Sequence, residues 1–479
     1  MSSALLVCLV AALAGPMVSG SELTEDPDLW WHLANARSLC ATHHFMRVDP
    51  YSFTVQGQSW INPEWLAEVP YWLGFAALGL MGVHLVALLG FCANLLLVYF
   101  RCSSVSGHKA AAFWTAVLGF FLMTVNGGAR TIVIAYLAMN LEMAIIESAQ
   151  RGNKRLLWLL PPLFCLWINL HGSWIIGLGF LGLYILCGLV KVKMGAMEQD
   201  AFHPADRKRL ILVFLASAAA LLVNPYTWQL VWNPFDMLLN QKVMLAIMTE
   251  WAPLSMASST GKAAAVFLVL LVVANLVRGR QWKVYELAFI FFAWYFAFAH
   301  QRFAFLACIV TAPWLAAGLA RSFFAAPNEK TVPAVNALFV AAAAGFVFYV
   351  LPSPSMLQKE LDARYPFQSI AAIQPSWRTF NDYGLCGMMM FNGKPTFVDS
   401  RNDIFEHNGV LQKFLDIQNI HDPLKLLDSY RIDHALIRAD SPLAFVLEHA
   451  PGWRVERREG AGDNVYETFE KVAGATLKQ

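Results

Sequence analysis

Long apolar runs recur along most of this chain, and they limit its fold more than any other feature. Most are close to the length that crosses the hydrocarbon core of a bilayer as a helix. With 57% hydrophobic and 14% charged residues, the chain is also too apolar for a soluble globular protein. The sequence therefore predicts a polytopic α-helical membrane protein with about eleven spans. The runs lie at 4–20, 78–100, 110–126, 131–147, 156–170, 173–191, 210–224, 261–277, 284–299, 303–320 and 333–351.

Basic residues are distributed unequally between the loops on the two sides of these runs. Fifteen Lys and Arg residues lie in the loops of one side and six in the loops of the other. Because cytoplasmic loops carry the excess, the bias predicts a cytoplasmic N-terminus, an outer loop at 21–70 and an outer C-terminal tail. The run at 4–20 is either a first span or a signal peptide, and the lack of a preceding Lys or Arg weakens the second reading.

The net charge of +2 does not indicate a nucleic-acid partner, because the basic residues form no extended patch.

The tail at 352–479 has the composition of a soluble protein and is long enough for one small domain. Strand-like segments at 378–380, 395–399, 434–438 and 465–469 alternate with helical patterns near 408–418, 423–430 and 442–449. This alternation predicts an outer α/β domain. Asp382, Tyr383, Asp399 and Arg401 follow strand-like segments, where such domains commonly place binding residues. Ordinary loop chemistry is the alternative interpretation of these four residues.

An acidic and aromatic motif, Glu25-Asp26-Pro27-Asp28-Leu29-Trp30-Trp31-His32, follows the first apolar run. Carboxylates at a membrane boundary are costly unless they are used, and tryptophan favours the headgroup layer. The motif therefore fits a base that acts on a lipid-linked substrate at the membrane surface, within a loop of membrane-lying amphipathic helices. The alternative is a polar helix start, in which Asp28 caps the helix and the tryptophans form an interfacial belt.

A few ionisable side chains lie in the other loops of the predicted outer side. Arginine binds phosphate through two hydrogen bonds and histidine adds a donor, so their convergence would create a site for a phosphate or pyrophosphate headgroup. Snorkelling or helix-end capping is the alternative for each residue taken alone. The residues are Arg130, His171, Glu250, His300 and Arg302, and Glu64 lies between two tryptophans in the first outer loop.

The layout resembles the C-type glycosyltransferase superfamily, polytopic enzymes that take a sugar from a polyprenyl-phosphate or polyprenyl-pyrophosphate carrier on the outer membrane face. The resemblance covers essentially the whole chain and is greatest for a poorly characterised bacterial group. It rests on Asp26-Pro27-Asp28-Leu29-Trp30-Trp31-His32-Leu33, Asp49-Pro50-Tyr51-Ser52-Phe53-Thr54, Glu64-Trp65-Leu66, Asn169-Leu170-His171-Gly172, Glu250-Trp251, Asn381-Asp382-Tyr383-Gly384 and Asp399-Ser400-Arg401.

The resemblance implies an inverting glycosyltransferase of the bacterial inner membrane, with a membrane domain at 1–351 and an outer domain at 352–479. Asp26 or Asp28 would deprotonate the acceptor hydroxyl, or would bind a divalent cation such as Mg²⁺ or Mn²⁺. The expected partners are a polyprenyl-phosphate-linked sugar and membrane lipid, and the acceptor is left open.

The resemblance also assigns supporting roles. The departing phosphate would be neutralised by Arg130, His171, His300 and Arg302. Acid or metal support would come from His32, Glu64 and Glu250, and the acceptor or outer-domain site would comprise Asp382, Tyr383, Asp399 and Arg401.

A noncatalytic, transport or assembly protein on the same scaffold is the alternative function, because a shared scaffold does not determine activity. The sequence has no convincing internal repeat and little charge at mid-membrane depth, with Glu142 as the main exception. Both features argue against a transporter.

Overall fold

The computed structural model describes residues 26–123, 128–277, 279–324 and 352–472, together with isolated helical positions between 334 and 349. The chain divides into two compact units. The first comprises Met1–Gly20, His84–Pro234 and Met248–Leu351, and the second comprises Ser21–Val83, Phe235–Ile247 and Pro352–Gln479. The first outer loop and the C-terminal tail, which the sequence assigned to different domains, therefore belong to one unit. The predicted span at 4–20 and most of that at 333–351 lie outside the described residues.

Helices make up nearly all of the first unit. Within the described ranges, four helices are long and apolar enough to cross a membrane: Leu80–Ser106, Thr131–Gln150, Ser259–Leu276 and Gln301–Phe323. Three shorter apolar helices are Lys109–Met123, Trp174–Cys187 and Val284–Ala299. All seven coincide with predicted apolar runs, so the prediction of a multi-pass membrane protein is confirmed. The number of about eleven spans stays a prediction.

The remaining elements of the first unit are shorter or more polar. The run at 156–170 forms a 3₁₀ helix, Lys154–Leu159, followed by the α-helix Leu160–Leu170. The run at 210–224 lies largely within Pro204–Ala220, which begins with charged residues. Strands β1 (Val192–Met194) and β2 (Met197–Gln199) form an antiparallel hairpin, and the helix Trp228–Asn240 continues into the second unit.

A buried arginine compensates for a proline inside the helix Ala304–Phe323. Pro313 has no backbone N–H, so the carbonyl of Ile309, four residues earlier, lacks its helical donor. Arg101 Nη1 donates to that carbonyl oxygen at 2.7 Å, and Arg101 Nη2 donates to Glu147 Oε1 at 2.6 Å. This arginine is 4% exposed and joins three helices of the first unit.

The second unit contains a four-stranded sheet in the order β3-β4-β6-β5. The strands are β3 (Thr379–Asn381), β4 (His434–Arg438), β5 (Trp453–Ala461) and β6 (Asn464–Lys471). Strands β3 and β4 are parallel, and the other neighbours are antiparallel. The α/β character of the C-terminal domain is therefore confirmed.

The predicted strand at 395–399 is wrong. It forms only an isolated bridge between Thr396 and Ser52. The side chain of Asn381 takes the place of a neighbouring strand, since it accepts from the Phe397 N–H at 2.7 Å and donates to the Val398 carbonyl at 3.0 Å. Strand β5 was not predicted, because its mostly exposed residues carry no apolar alternation.

Helices surround this sheet and complete the second unit. Two of them begin with a serine cap followed by proline: Ser353 accepts from the Met356 N–H, and Ser441 accepts from the Ala444 N–H. The helices are Asp28–Thr42, Trp65–Leu78, Lys242–Ile247, Pro354–Arg364, Phe367–Ala372, Cys386–Phe391, Asn402–His407, Val410–Gln418, Pro423–Ser429 and Pro442–His449.

Trp30 and Trp31 of the helix Asp28–Thr42 were expected to lie in the headgroup layer, and this expectation is wrong because both are buried within the protein. Every residue from Leu29 to Ala36 is buried, whereas a membrane-lying helix would bury only one face within the protein. Trp30 is 2% exposed, and its Nε1 donates to the Tyr365 hydroxyl at 3.0 Å. The carbonyl of Pro27 also occupies the place that a side chain at Gly387 would need. The part of the motif from Leu29 to His32 is therefore packed into the interior of the second unit, whereas Asp26, Pro27 and Asp28 are half-buried.

Candidate active site

Asp28 begins the helix Asp28–Thr42 and Asp26 lies two residues before it, and the structure gives their carboxylates different surroundings. Asp26 Oδ1 accepts the backbone N–H of Asp28 at 3.0 Å, which is a local turn contact. Asp28 Oδ1 accepts from Trp31 Nε1 at 3.0 Å. Burial, followed by the negative charge of Asp26, raises the pKa of Asp28 to about 6. Asp28 therefore has the better properties for a base near neutral pH.

His32 lies one turn further along the same helix and is held in a carboxylate pocket. Its Nδ1 is 2.7 Å from Glu68 Oε1, and its Nε2 is 3.7 Å from Glu64 Oε2. Burial opposes the charged imidazolium, but the hydrogen bond and charge of Glu68, with the charges of Glu64 and Asp28, outweigh it and raise the pKa of His32 to about 9. Asn62 Nδ2 donates to the second oxygen of Glu68 at 2.7 Å. A cation therefore stands beside Asp28 at neutral pH.

The C-terminal part of the second unit also contributes to the surroundings of Asp28. Ser400 is close enough to Asp28 to lower the pKa of that carboxyl and partly offset the effect of burial. Asp28 in turn is close enough to Tyr383 to help raise the pKa of that phenol, after burial, far above its ordinary value. Tyr383 and Asn402 hydrogen-bond to each other, with Asn402 Nδ2 donating to the phenol oxygen at 2.8 Å. The predicted base and the predicted outer-domain residue Tyr383 thus share one environment.

Asp382 and Asp403 are further carboxyls of this region. Asp382 Oδ1 accepts the Gly384 N–H at 2.8 Å, and burial raises the pKa of Asp382. Burial also raises the pKa of Asp403 to about 6.

Asp399 and Arg401, which were predicted to bind an acceptor, form a buried ion-pair cluster with Asp49. Arg401 Nη2 donates to Asp49 Oδ1 at 2.5 Å and to Asp399 Oδ2 at 2.7 Å. Its guanidinium carbon lies 4.6 Å from the centre of the Trp60 ring. The side chains of Arg401 and of both carboxylates are at most 1% exposed. Their position indicates that they hold the loop carrying Asp49 against the segment that contains Ser400.

Arg130, His300 and Arg302 lie together in the first unit around Glu250. Arg130 forms an ion pair with Glu250, and Arg302 Nη1 is 3.9 Å from Glu250 Oε2. His300 Nδ1 donates a hydrogen bond to the carbonyl oxygen of Trp251 at 2.6 Å. Glu250 is thus a counter-ion of the predicted phosphate-binding residues.

His171, the fourth residue of the predicted phosphate site, stabilises a turn between two helices of the first unit. Its Nδ1 accepts the backbone N–H of Ser173 at 3.0 Å, and Trp167 Nε1 donates to the Ser173 hydroxyl at 3.0 Å.

The resemblance implied that Asp26 and Asp28 could bind a divalent cation. Over the described ranges, no three or more His, Cys, Asp or Glu side chains are grouped as they would be around a metal ion. Asp26 and Asp28 would supply two oxygen ligands, and hard cations such as Mg²⁺ readily take the remainder from water and phosphate.

The roles of Glu68, Asn62 and Ser400 were not predicted from the sequence. Glu68 had a signal, because a glutamate four residues after Glu64 lies on the same helix face and interrupts an apolar segment. Ser400 lay inside a recognised motif, but nothing in its spacing related it to Asp28, which lies more than 370 positions earlier.

Comparison with known proteins identifies the fold. No protein-family model and no curated protein sequence matches this chain. Among solved structures, it is similar to ArnT from Cupriavidus metallidurans bound to undecaprenyl phosphate, with a TM-score of 0.57 and 11% identity over 99% of both chains. It is also similar to the archaeal oligosaccharyltransferase AglB from Archaeoglobus fulgidus in complex with an inhibitory peptide and a dolichol-phosphate. That TM-score is 0.52, with 11% identity over 99% of this chain and 75% of the other.

A third similar structure is the arabinofuranosyltransferase AftD from Mycobacteria, with a TM-score of 0.53 and 15% identity over 98% of this chain and 40% of the other. The chain therefore has the C-type glycosyltransferase fold, as its motifs predicted. It is a multi-pass membrane protein with a C-terminal α/β domain built on that fold.

Proposed function

We propose that the protein is a membrane glycosyltransferase that moves a sugar from a polyprenyl-phosphate donor to an acceptor on the outer membrane face. The observation that carries this proposal is Asp28, a carboxylate whose pKa is raised to about 6 and which lies beside the cationic His32, in a chain with the C-type glycosyltransferase fold. A base with a pKa just below the working pH is mostly ionised and still accepts a proton readily. The polyprenyl phosphates bound to ArnT and AglB support the choice of carrier.

In the proposed reaction, Asp28 takes the proton of the acceptor hydroxyl as that oxygen attacks the anomeric carbon of the sugar. The bond from this carbon to the phosphate oxygen breaks, and the polyprenyl phosphate leaves with the electron pair. A single displacement of this kind inverts the anomeric configuration. Arg130 and Arg302 stabilise the charge on the phosphate, and His171 and His300 are additional donors.

The other predicted residues support this step. His32, held by Glu64 and Glu68, keeps Asp28 ionised through its positive charge. Asp26 positions Asp28 by accepting a hydrogen bond from the Asp28 backbone N–H. Glu250 orients the two arginines, Arg130 and Arg302. Asp382 and Tyr383 contact the acceptor, whereas Asp399 and Arg401 maintain the cluster with Asp49.

The remaining features of the proposal concern the membrane. The excess of basic residues in one set of loops supports a cytoplasmic N-terminus and a C-terminal domain outside the cytoplasm, for a protein of a bacterial inner membrane. If transfer requires a divalent cation, Asp26 and Asp28 are its ligands. Comparing transfer with EDTA and with added Mg²⁺ or Mn²⁺ decides this point.

Sugar transfer from labelled polyprenyl-phosphate donors tests the function directly. Membranes containing the full chain should move label from the lipid donor to a second lipid, glycan or protein fraction, and membranes without the chain should not. Equal donor consumption in the two preparations would contradict the proposal and favour a noncatalytic, transport or assembly role.

The pH dependence of transfer is expected to be bell-shaped. Asp28 must be deprotonated, so kcat/KM should rise with pH through about 6. His32 must be protonated, so kcat/KM should fall again as pH rises through about 9. In His32→Gln the alkaline limb should disappear. The acid limb should move to higher pH, because the imidazolium lowers the pKa of Asp28. An unchanged profile in this variant would mean that His32 does not control the site.

A further inference from the structure

A cavity of about 330 Å³ in the first unit has none of the candidate active-site residues in its lining and is lined by three arginines, Arg151, Arg280 and Arg321. Arg151 follows the helix Thr131–Gln150, Arg321 lies in the last turn of Ala304–Phe323, and Arg280 precedes Val284–Ala299. The three arginines belong to loops and helix ends that the basic-residue bias places in the cytoplasm. The cavity therefore lies at the helix ends predicted to face the cytoplasm.

The charges around this cavity are not balanced. Two glutamates also line it, and each already has an arginine partner: Glu147 pairs with Arg101 at 2.6 Å, and Glu286 pairs with Arg280 at 2.6 Å. Within the described residues, the hydrogen bond of the Arg321 side chain goes to a neutral group, Asn275 Oδ1, at 2.9 Å.

Arg151 supplies a second surplus charge at the same cavity. Throughout the described part of the chain, no group accepts a hydrogen bond from its guanidinium. Arg151 and Arg321 are both exposed, so an incoming ligand can reach them.

The side chains that line the cavity indicate the kind of ligand that it would bind. Pro313, Trp314 and Ala317 line it from the apolar helix Ala304–Phe323. Arginine recognises phosphate through paired, charge-assisted hydrogen bonds, and an apolar wall beside it suits an acyl chain. We propose that this cavity binds a phosphate group, supplied either by an acidic lipid or by a soluble phosphate compound. This site is independent of the proposed transferase reaction.

Native mass spectrometry of the full-length protein tests the proposal with defined probes. The protein is titrated with phosphatidylglycerol, which has one negative charge, and with phosphatidylcholine, which has none in total. The double variant Arg151→Gln/Arg321→Gln is compared with a control double variant, Arg155→Gln/Lys208→Gln. The control changes two exposed basic residues of the same predicted side that do not line the cavity. Affinity for phosphatidylglycerol should fall by about tenfold for each cavity arginine removed, and it should not change in the control.

A second arm separates the two sources of phosphate. The midpoint of thermal unfolding is measured with and without inorganic phosphate for the wild type and for the same two double variants. If phosphate raises the midpoint of the wild type but not of the cavity variant, and phosphatidylglycerol shows no preference, the site takes a soluble phosphate. Equal retention of phosphatidylglycerol by all forms, together with equal responses to inorganic phosphate, would overturn the proposal and leave the arginines with a role at the helix ends only.

Discussion

Asp28→Asn is expected to lower kcat for sugar transfer by about 10²–10⁴-fold, the usual contribution of a general base. Asparagine keeps the shape of the side chain and still accepts from Trp31 Nε1, but it cannot take the acceptor proton. Because burial works against the ionised carboxylate, the same substitution should raise the midpoint of thermal unfolding at neutral pH. Lost activity with undiminished stability would separate a chemical role from misfolding.

Asp26→Asn is the matched control for this prediction. Its side-chain oxygen can still accept the Asp28 N–H, so the helix start should be preserved and the loss of rate should be smaller. Initial rates with one polyprenyl-phosphate sugar, at equal protein levels, measure both variants. If Asp26→Asn is the more damaging substitution, the base is Asp26. If both variants transfer sugar at the wild-type rate, the acidic motif is not catalytic.

Arg401→Gln is expected to destabilise the protein by about 3–5 kcal/mol, the cost of leaving buried charges without their partner. Asp49 and Asp399 would keep their negative charges with almost no exposure to water. Arg401→Lys should recover only part of the loss, because one ammonium group cannot reproduce the forked contacts to two carboxylates. The thermal midpoint of the purified full chain measures both variants.

Arg454→Gln is a suitable control for Arg401→Gln. Arg454 pairs with Glu470 at 2.6 Å between neighbouring strands, but its side chain is 65% exposed. Ion pairs in water contribute little to stability, so the midpoint should hardly change. If Arg401→Gln were as mild as this control, Arg401 would not be a structural anchor, and its predicted role in acceptor binding would be the better interpretation.

Features encoded by local pattern were predicted well from the sequence. Apolar runs at 78–100, 131–147, 261–277 and 303–320 appear as the helices Leu80–Ser106, Thr131–Gln150, Ser259–Leu276 and Gln301–Phe323. The reason is that an apolar segment of this length has few other stable conformations. Strand β4 was also placed correctly at 434–438, where a buried apolar segment lies between turns.

Features that depend on distant partners were not predicted. Trp30 has the composition of an interfacial residue, but Tyr365, Phe391 and Phe75 enclose its ring. The segment at 395–399 has the pattern of a strand, but its Phe397 N–H and Val398 carbonyl are hydrogen-bonded to the side chain of Asn381. Likewise, Asp28 was identified as a candidate base, whereas its contact with Ser400 was not. In each case the deciding neighbour is far away in sequence and carries no periodic signal.

The hydrogen bond from Trp30 to Tyr365 joins residues that are 335 positions apart. The acidic motif is synthesised long before the residues that enclose it. Because domains generally fold as units, this part of the protein forms only when its last contributing segment has been made. During biosynthesis the motif therefore stays exposed while the intervening helices enter the bilayer. A chain that stalls before Tyr365 and Phe391 therefore leaves Trp30 without two of the rings that enclose it.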